Sequence, residues 1–400
     1  MNVSYYTLGC KLNQAETDEL KNALEKVKFL TVPFDSGEEI SIIRACGVTC
    51  GASQTTREMI RRVKRRGAVV VATGCLENNA MPEIDFVGKN NEEIIEHLLN
   101  LSTDSTTQIK RQNSNKEIQN KTRKFIKIQT GCNFQCSYCI IPQFRGKSNS
   151  MSPQEIITKI NQTTKNGFQE VVLTGVNICQ YKYNAINLVL LLKEILDKTS
   201  MPRIRLGSLD PRLITDELVE LYGKNKNRLL PHWHLSLQSG SDTVLKRMAR
   251  GYSAKKYAGI VKKLRLKYPL FSITTDIIVG FPGETEEEFL QTCKFVKQNN
   301  FCKVHVFPFS PRPGTQAAKL KPIHNQTITD RAKKLNIICK QVAQKYTDNF
   351  VDQTREVLFE NKKGKYWYGY SPEYFKIKFD SDKNLENVIK NIKITGKTIC

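Results

Sequence analysis

Short runs of branched and aromatic residues alternate with longer amphipathic stretches along most of the chain, and the two periods separate strands from helices. Residues 3–8 read as a strand, and 13–27 carry apolar residues at helical spacing. The next strand is expected at 39–44, a strongly basic helix at 53–66, and an apolar strand with three consecutive valines at 68–73. Residues 85–87 and 92–101 supply a fourth strand and helix. Strands alternating with helices predict a parallel sheet with crossover helices, so 1–101 is expected to be an α/β domain. Residues 102–124 are polar, rich in Ser, Thr, Asn, Gln and Lys, and read as a linker.

The alternation resumes at 125 on a larger scale. Strands are expected at 125–129, 170–174, 203–207, 233–237, 272–279 and 303–307. Helices fall at 153–165, 186–198, 211–222, 241–266 (with an interruption) and 284–299. Six strand–helix units of about 35 residues fit a partial (βα)6 barrel with a site at the strands' C-terminal ends, in a central domain spanning 125–340. After a helix at 329–346, short β-type runs at 354–360, 366–370, 374–379 and 392–398 predict a small antiparallel β-barrel in a C-terminal domain, 341–400. The fold class is α/β, with that β appendage.

Composition narrows the function classes. A hydrophobic fraction of 40% and a charged fraction of 25% over 400 residues describe a globular protein of two or three domains. Apolar runs fall short of the roughly 18 residues a membrane span needs, and the N-terminus lacks the pattern of a secretory signal. No membrane partner is expected, and the setting is the reducing cytoplasm. Disulfides are disfavoured there, so clusters among the 12 cysteines point to metal or redox chemistry. The formal charge of +23 would attract a polyanion such as RNA, although a Lys- and Asn-rich codon bias gives the same balance.

Cys132, Cys136 and Cys139 stand in CxxxCxxC spacing just past the first barrel strand. One loop can wrap three thiolates around a 4Fe–4S cluster, and because such clusters normally take four cysteines, one iron stays open. That iron could chelate the amino and carboxylate groups of S-adenosylmethionine (SAM), whose reductive cleavage gives a 5′-deoxyadenosyl radical. A zinc knuckle would want a fourth Cys or His, and the next cysteine along the chain is Cys179. Gly175 and Gly280 end the second and fifth barrel strands, where bare backbone could approach SAM; a plain strand–helix turn explains them nearly as well.

Cys10, Cys46 and Cys75 each follow an expected parallel strand of the N-terminal domain. Open α/β sheets bind ligands at the carboxyl ends of their strands, so these thiols would converge and hold a second 4Fe–4S cluster with an open iron, able to carry a sulfide or methylsulfide. Cys50 lies four residues after Cys46 and competes with it as the ligand. Cys293, Cys302, Cys339 and Cys400 show no metal spacing. For RNA, the C-terminal segment interleaves Lys362, Lys363, Lys365, Lys376 and Lys378 with Tyr366, Trp367, Tyr368, Tyr370, Tyr374 and Phe375, of which about half are expected to fill the barrel core. The basic helix with Arg57, Arg61, Arg62, Lys64, Arg65 and Arg66 is either an RNA contact or a solvated face.

Taken together these residues resemble the methylthiotransferases, and within them the type that modifies threonylcarbamoyladenosine (t6A) in tRNA. The resemblance rests on Thr7-Leu8-Gly9-Cys10-Lys11-Leu12-Asn13-Gln14-Ala15-Glu16-Thr17, on Thr73-Gly74-Cys75, and on the Cys132 loop with Ile141-Pro142 and Arg145-Gly146. It continues in Ser236-Leu237-Gln238-Ser239-Gly240, in Gly280-Phe281-Pro282-Gly283-Glu284-Thr285, in the 305–310 run and in Arg312-Pro313-Gly314-Thr315, and so spans nearly the whole chain. It implies two 4Fe–4S clusters, on Cys10, Cys46 and Cys75 and on Cys132, Cys136 and Cys139. It also implies two uses of SAM, as methyl donor and as radical source, a TRAM-like C-terminal domain, and tRNA, gripped at its anticodon stem-loop, as substrate. The implied reaction is methylthiolation of adenine carbon 2 in t6A at position 37, giving ms2t6A, with an electron donor and a sulfur source still to be identified. Where the family usually has Asn-Thr before its second cysteine, this chain has Arg44-Ala45, and its tail is short. Isopentenyladenosine or a ribosomal-protein aspartate are the alternative substrates, and a non-catalytic RNA-binding iron–sulfur or zinc protein is the alternative class.

Overall fold

The computed structural model describes residues 1–76, 81–103 and 122–400, so most of the linker expected at 102–124 lies outside the described residues. The chain divides into two compact units. One is Met1–Glu117 with Cys139–Lys147 and Ser310–Gly314; the other is Ile118–Tyr138, Ser148–Phe309 and Thr315–Cys400.

The first unit is built on a parallel sheet. Its strands run Leu30–Thr31, Asn2–Thr7, Ile40–Ala45, Val69–Gly74 and Phe86–Val87 across the sheet. Alternate side chains feed two cores: Val3, Ile40, Ile42 and Val71 with Leu20, Leu24, Ile94 and Leu98, and Ile43 and Val70 with Ile60 and Val63. Helices Lys11–Lys26 and Asn91–Thr103 cover one face and Cys50–Lys64 the other, which is why the middle strands read as unbroken apolar runs. The edge strand Leu30–Thr31 was not expected, since two residues are too few to show a period.

The second unit holds six parallel strands in chain order, from Arg123–Lys127 and Glu170–Thr174 to Ser272–Val279 and Lys303–Pro308. The third strand is split at Gly207. Arg203–Leu206 pairs with Glu170–Thr174, while Ser208–Leu209 pairs with His232–Leu235. In place of the single ladder of an ideal (βα)6 barrel there are thus two parallel sheets, of three and four strands. A Cβ at Gly207 would stand 2.9 Å from the Leu173 carbonyl oxygen, so the split needs glycine. The interruption expected within 241–266 falls between Asp242–Arg247 and Ala254–Lys267, where Ala249 and Gly251 take φ of 55° and 63°.

The C-terminal strands form an antiparallel sheet in the order Lys376–Asp380, Tyr366–Tyr370, Thr354–Lys363, Ile389–Lys393. It is not the closed barrel expected: the two edge strands do not pair with each other, and a lone bridge joins Ile377 to Ile399. A bulge at Phe359/Asn361 curls it around Phe350, Val357, Trp367, Phe375, Ile377 and Ile392. Beneath it the fully buried Glu170 carboxylate accepts from Arg203 Nε (3.0 Å) and Arg205 Nε (2.8 Å). The same arginines donate to the carbonyls of Tyr370, Ser371 and Pro372. Among the described residues no helix is long and apolar enough to cross a membrane.

Candidate functional site

Each cysteine of the N-terminal set sits one to three residues past a central strand: Cys10 after Asn2–Thr7, Cys46 after Ile40–Ala45 and Cys75 after Val69–Gly74. The loops lie against one another. A Cβ on Gly9 would stand 2.9 Å from Cys46 Sγ, and one on Gly47 would stand 2.6 Å from the Cys75 carbonyl oxygen. Gly9 also takes φ +94°, a conformation costly for any other residue, so the Cys10 loop needs glycine twice over. Burial pushes the Cys75 thiol up, against the pull of Arg145, and Cys10 and Cys46 push it further. Cys46 is likewise raised by burial and by Cys10, with Arg145 and Arg312 opposing. The three thiols are therefore near enough to act on each other.

Cys50 is placed differently. It opens helix Cys50–Lys64, and its sulfur accepts from Ser310 Oγ (3.0 Å) and Arg312 Nη1 (3.7 Å). Cys46, packed on Gly9, is the residue that shares a pocket with Cys75. Asn13 holds the strand ends, donating to the carbonyls of Leu8 (2.6 Å) and Ala45 (3.0 Å). Arg44, two residues before Cys46, is buried, and its guanidinium bonds Thr17, Glu16 and Asn91 at 3.0, 3.1 and 2.8 Å.

In the second unit the loop bearing Cys132 and Cys136 follows Arg123–Lys127. Cys132 Sγ accepts from Gln180 Nε2 at 3.4 Å. Cys136 Sγ accepts from Arg250 Nη1 (3.3 Å) and Arg212 Nη2 (3.7 Å). Asp210 bridges those two guanidiniums at 3.1 and 2.7 Å. Such donors favour a thiolate and offset the burial that raises Cys132. Cys139, the third of the motif, is half-buried. Among the described residues no three His, Cys, Asp or Glu side chains close on a point as they would around a single ion. A 4Fe–4S cage sends its thiolates to different irons and needs its sulfurs spread wider.

The remaining expected residues divide. A Cβ on Gly175 would strike the Gln129 carbonyl at 2.6 Å, and Gln129 Nε2 braces the Cys132 loop through the Thr130 and Gly131 carbonyls. Gly280 takes φ +73° and a Cβ there would meet Ile328 at 2.5 Å. Packing alone thus accounts for both glycines. In the C-terminal sheet the register puts Lys363, Tyr366, Tyr368, Lys376 and Lys378 on one face, with the Lys376 ammonium 4.4 Å from the Tyr368 ring. Trp367 and Phe375 are buried in the core, two of the six aromatics where about half were expected. Lys362 pairs with Trp367 and lies over its ring, on the other face. On the basic helix Arg61, Arg62, Lys64 and Arg66 pair with Glu83, Asp35, Asp85 and Asp35, which makes that face ion-paired. Sequence reasoning also missed a pair inside the strand array. His234 Nε2 meets Asp276 Oδ2 at 3.1 Å; burial would raise that carboxyl, but His234, His305 and Arg250 hold it below its usual range.

Residues 126–296 match the radical SAM superfamily, and 2–95 match an uncharacterized protein family, UPF0004. Among solved structures the chain is similar to the radical SAM methyltransferase TsrM from Kitasatospora setae. The TM-score is 0.59 at 13% identity, covering 79% of this chain and 76% of that one. It is also similar to the radical SAM enzyme OxsB, with TM-score 0.52 at 11% identity, covering 86% and 56%. These likenesses show the fold, and the radical SAM family that residues 126–296 match implies SAM and a 4Fe–4S cluster. Closer in sequence is the threonylcarbamoyladenosine tRNA methylthiotransferase MtaB of Aquifex aeolicus (strain VF5), 36% identical over 91% of each chain. The MtaB of Bacillus subtilis (strain 168) is 31% identical over 98% of this chain and 93% of that one. The tRNA-2-methylthio-N(6)-dimethylallyladenosine synthase of Endomicrobium trichonymphae is 31% identical over 91% and 90%. The chain belongs to the radical SAM methylthiotransferase family of enzymes, with relatives of the MtaB type.

Proposed function

We propose that this enzyme methylthiolates carbon 2 of the adenine in t6A at position 37 of tRNA, forming ms2t6A. MtaB-type relatives matched over more than nine-tenths of the chain support the substrate. The observation that carries the reaction is the convergence of Cys10, Cys46 and Cys75 at the carboxyl ends of three adjacent strands.

Both sulfur donor sets fit a 4Fe–4S cluster short of one ligand: all-cysteine, partly buried, and met by guanidinium or amide donors. Cys132, Cys136 and Cys139 would hold the cluster that binds SAM, and Cys10, Cys46 and Cys75 would hold the second. When bound, these groups and SAM supply a carbon radical, apt for an unactivated aromatic C–H, together with the methylthio group. The protein's part is positioning. Arg250 and Arg212 orient the Cys136 sulfur, Gln180 orients that of Cys132, and Asn13 fixes the strand ends that carry Cys10 and Cys46. Backbone at Gly175 and Gly280 would pass close to SAM. Lys363, Tyr366, Tyr368 and Lys376, with Lys362 from the opposite face, would grip the anticodon stem-loop by phosphate neutralisation and stacking. An electron donor and a sulfur source complete the reaction, in the cytoplasm.

Mass spectrometry of tRNA nucleosides from a deletion strain tests the substrate. Loss of ms2t6A with t6A retained is expected; persistence of ms2t6A with loss of the methylthiolated isopentenyladenosine would move the assignment to that nucleoside, which the dimethylallyladenosine synthase relatives favour.

A further inference from the structure

An arginine, Arg145, stands six residues past Cys139. Arg145 closes the short helix Ile141–Arg145, and its side chain is 8% exposed. Its Nε donates to Cys75 Sγ at 3.2 Å. Nη1 and Nη2 donate to the two Glu16 oxygens at 3.0 and 3.1 Å, and Nη2 also reaches Asn13 Oδ1 at 2.6 Å. Asn13 places its own amide hydrogens on Leu8, two residues before Cys10, and on Ala45, next to Cys46. One guanidinium therefore reaches all three cysteine loops, Cys75 directly and the others through one amide.

Charge points the same way. Glu16 is shared, since Arg44 Nη1 also donates to it at 3.1 Å. A carboxylate divided between two buried guanidiniums leaves positive charge beside the Cys75 sulfur, which Arg145 Nε meets at 3.2 Å. Planar fork geometry matters here, because four acceptor contacts in different directions are within reach of Arg and not of Lys.

We infer that Arg145 is a positioning residue for the N-terminal cysteine set: it orients the Cys75 sulfur and ties the Cys10 and Cys46 loops to the segment Cys139–Lys147, so that loading of that set and ordering of that segment are coupled. This rests on Cys10, Cys46 and Cys75 holding a cluster.

The test uses the full chain carrying Cys132→Ala and Cys136→Ala, reconstituted anaerobically with iron and sulfide, so that bound iron reports on the N-terminal set. About four irons per chain are expected. Loading should slow hydrogen exchange at the Phe144 and Gly146 amides, bonded to the Ile140 and Pro142 carbonyls, by about tenfold or more. Arg145→Gln should bind iron without that slowing and with a lower cluster reduction potential. Arg145→Lys should keep the potential near that of the parent, because the charge stays, yet lose the slowing, because the fork is gone. If Arg145→Gln does not fold, the Lys variant decides alone. Parental slowing and potential in both variants would overturn the inference and leave the cluster intact, whereas a parent that binds no iron would overturn the cluster and the inference with it.

Discussion

Glu170→Gln should cost the second unit about 3 kcal/mol. The carboxylate is fully buried, and burial alone would raise its pKa; Arg205, Arg203 and Arg123 outweigh this and bring it from its usual 4.5 to about 2. That shift corresponds to about 3 kcal/mol in favour of the ionised form, and removing one partner of a buried ion pair costs on the order of 3–5 kcal/mol by itself. The folded-state pKa lies below the unfolded one. The stabilisation is therefore complete above pH 4.5 and drains away as pH falls towards 2, and the Gln variant lacks that pH-dependent part. Both tryptophans, Trp233 and Trp367, are buried in this unit, so urea unfolding followed by tryptophan fluorescence at neutral pH reports on it and not on the first. Since Arg203 and Arg205 also grip the Tyr370, Ser371 and Pro372 carbonyls, the C-terminal sheet should loosen along with the strands beneath it. A Gln variant within about 1 kcal/mol of the parent would refute the reasoning, because it would mean that the arginines do not need this anion.

Three further outcomes follow from the geometry. Cys46→Ser should lower reconstituted iron from about eight to about four per chain while Cys50→Ser leaves it near eight, and the reverse pattern in an iron assay would transfer the ligand role to Cys50. Gly47→Ala puts a Cβ 2.6 Å from the Cys75 carbonyl and 3.1 Å from the Phe144 ring; about 1–3 kcal/mol of overpacking should appear as poor iron retention by the N-terminal set, and full retention would show that the loop gives way. Replacing Tyr366 or Tyr368 by Ala should weaken anticodon stem-loop binding by about 1–3 kcal/mol with little change in salt dependence. Lys376→Gln combined with Lys378→Gln should instead flatten the salt slope by about two charges, and unchanged binding in all three variants would remove this sheet from the RNA interface.

Much of this protein was legible in the sequence because the deciding patterns are local. The 132–139 motif places three cysteines in one loop, so spacing alone marks them out as a candidate ligand set. The N-terminal set was legible for a different reason: apolar strands followed by helices dictate a parallel sheet, and a parallel sheet brings the residues after Asn2–Thr7, Ile40–Ala45 and Val69–Gly74 to one edge. The division of Tyr366 and Tyr368 from the buried Trp367 came from the sheet register. Hydrophobic periodicity says which side of an element is buried, but not which distant residue meets it. That Arg145 would meet Asn13 and Glu16 across 132 and 129 residues, that Glu170 would gather Arg203 and Arg205, that Cys50 would turn to Ser310, that a strand would split at Gly207, and that the last sheet would stay open were all decided by tertiary contacts. Such polar and steric matches form only once the chain has folded and excluded water, where a buried charge must find a partner and a Cβ must find room.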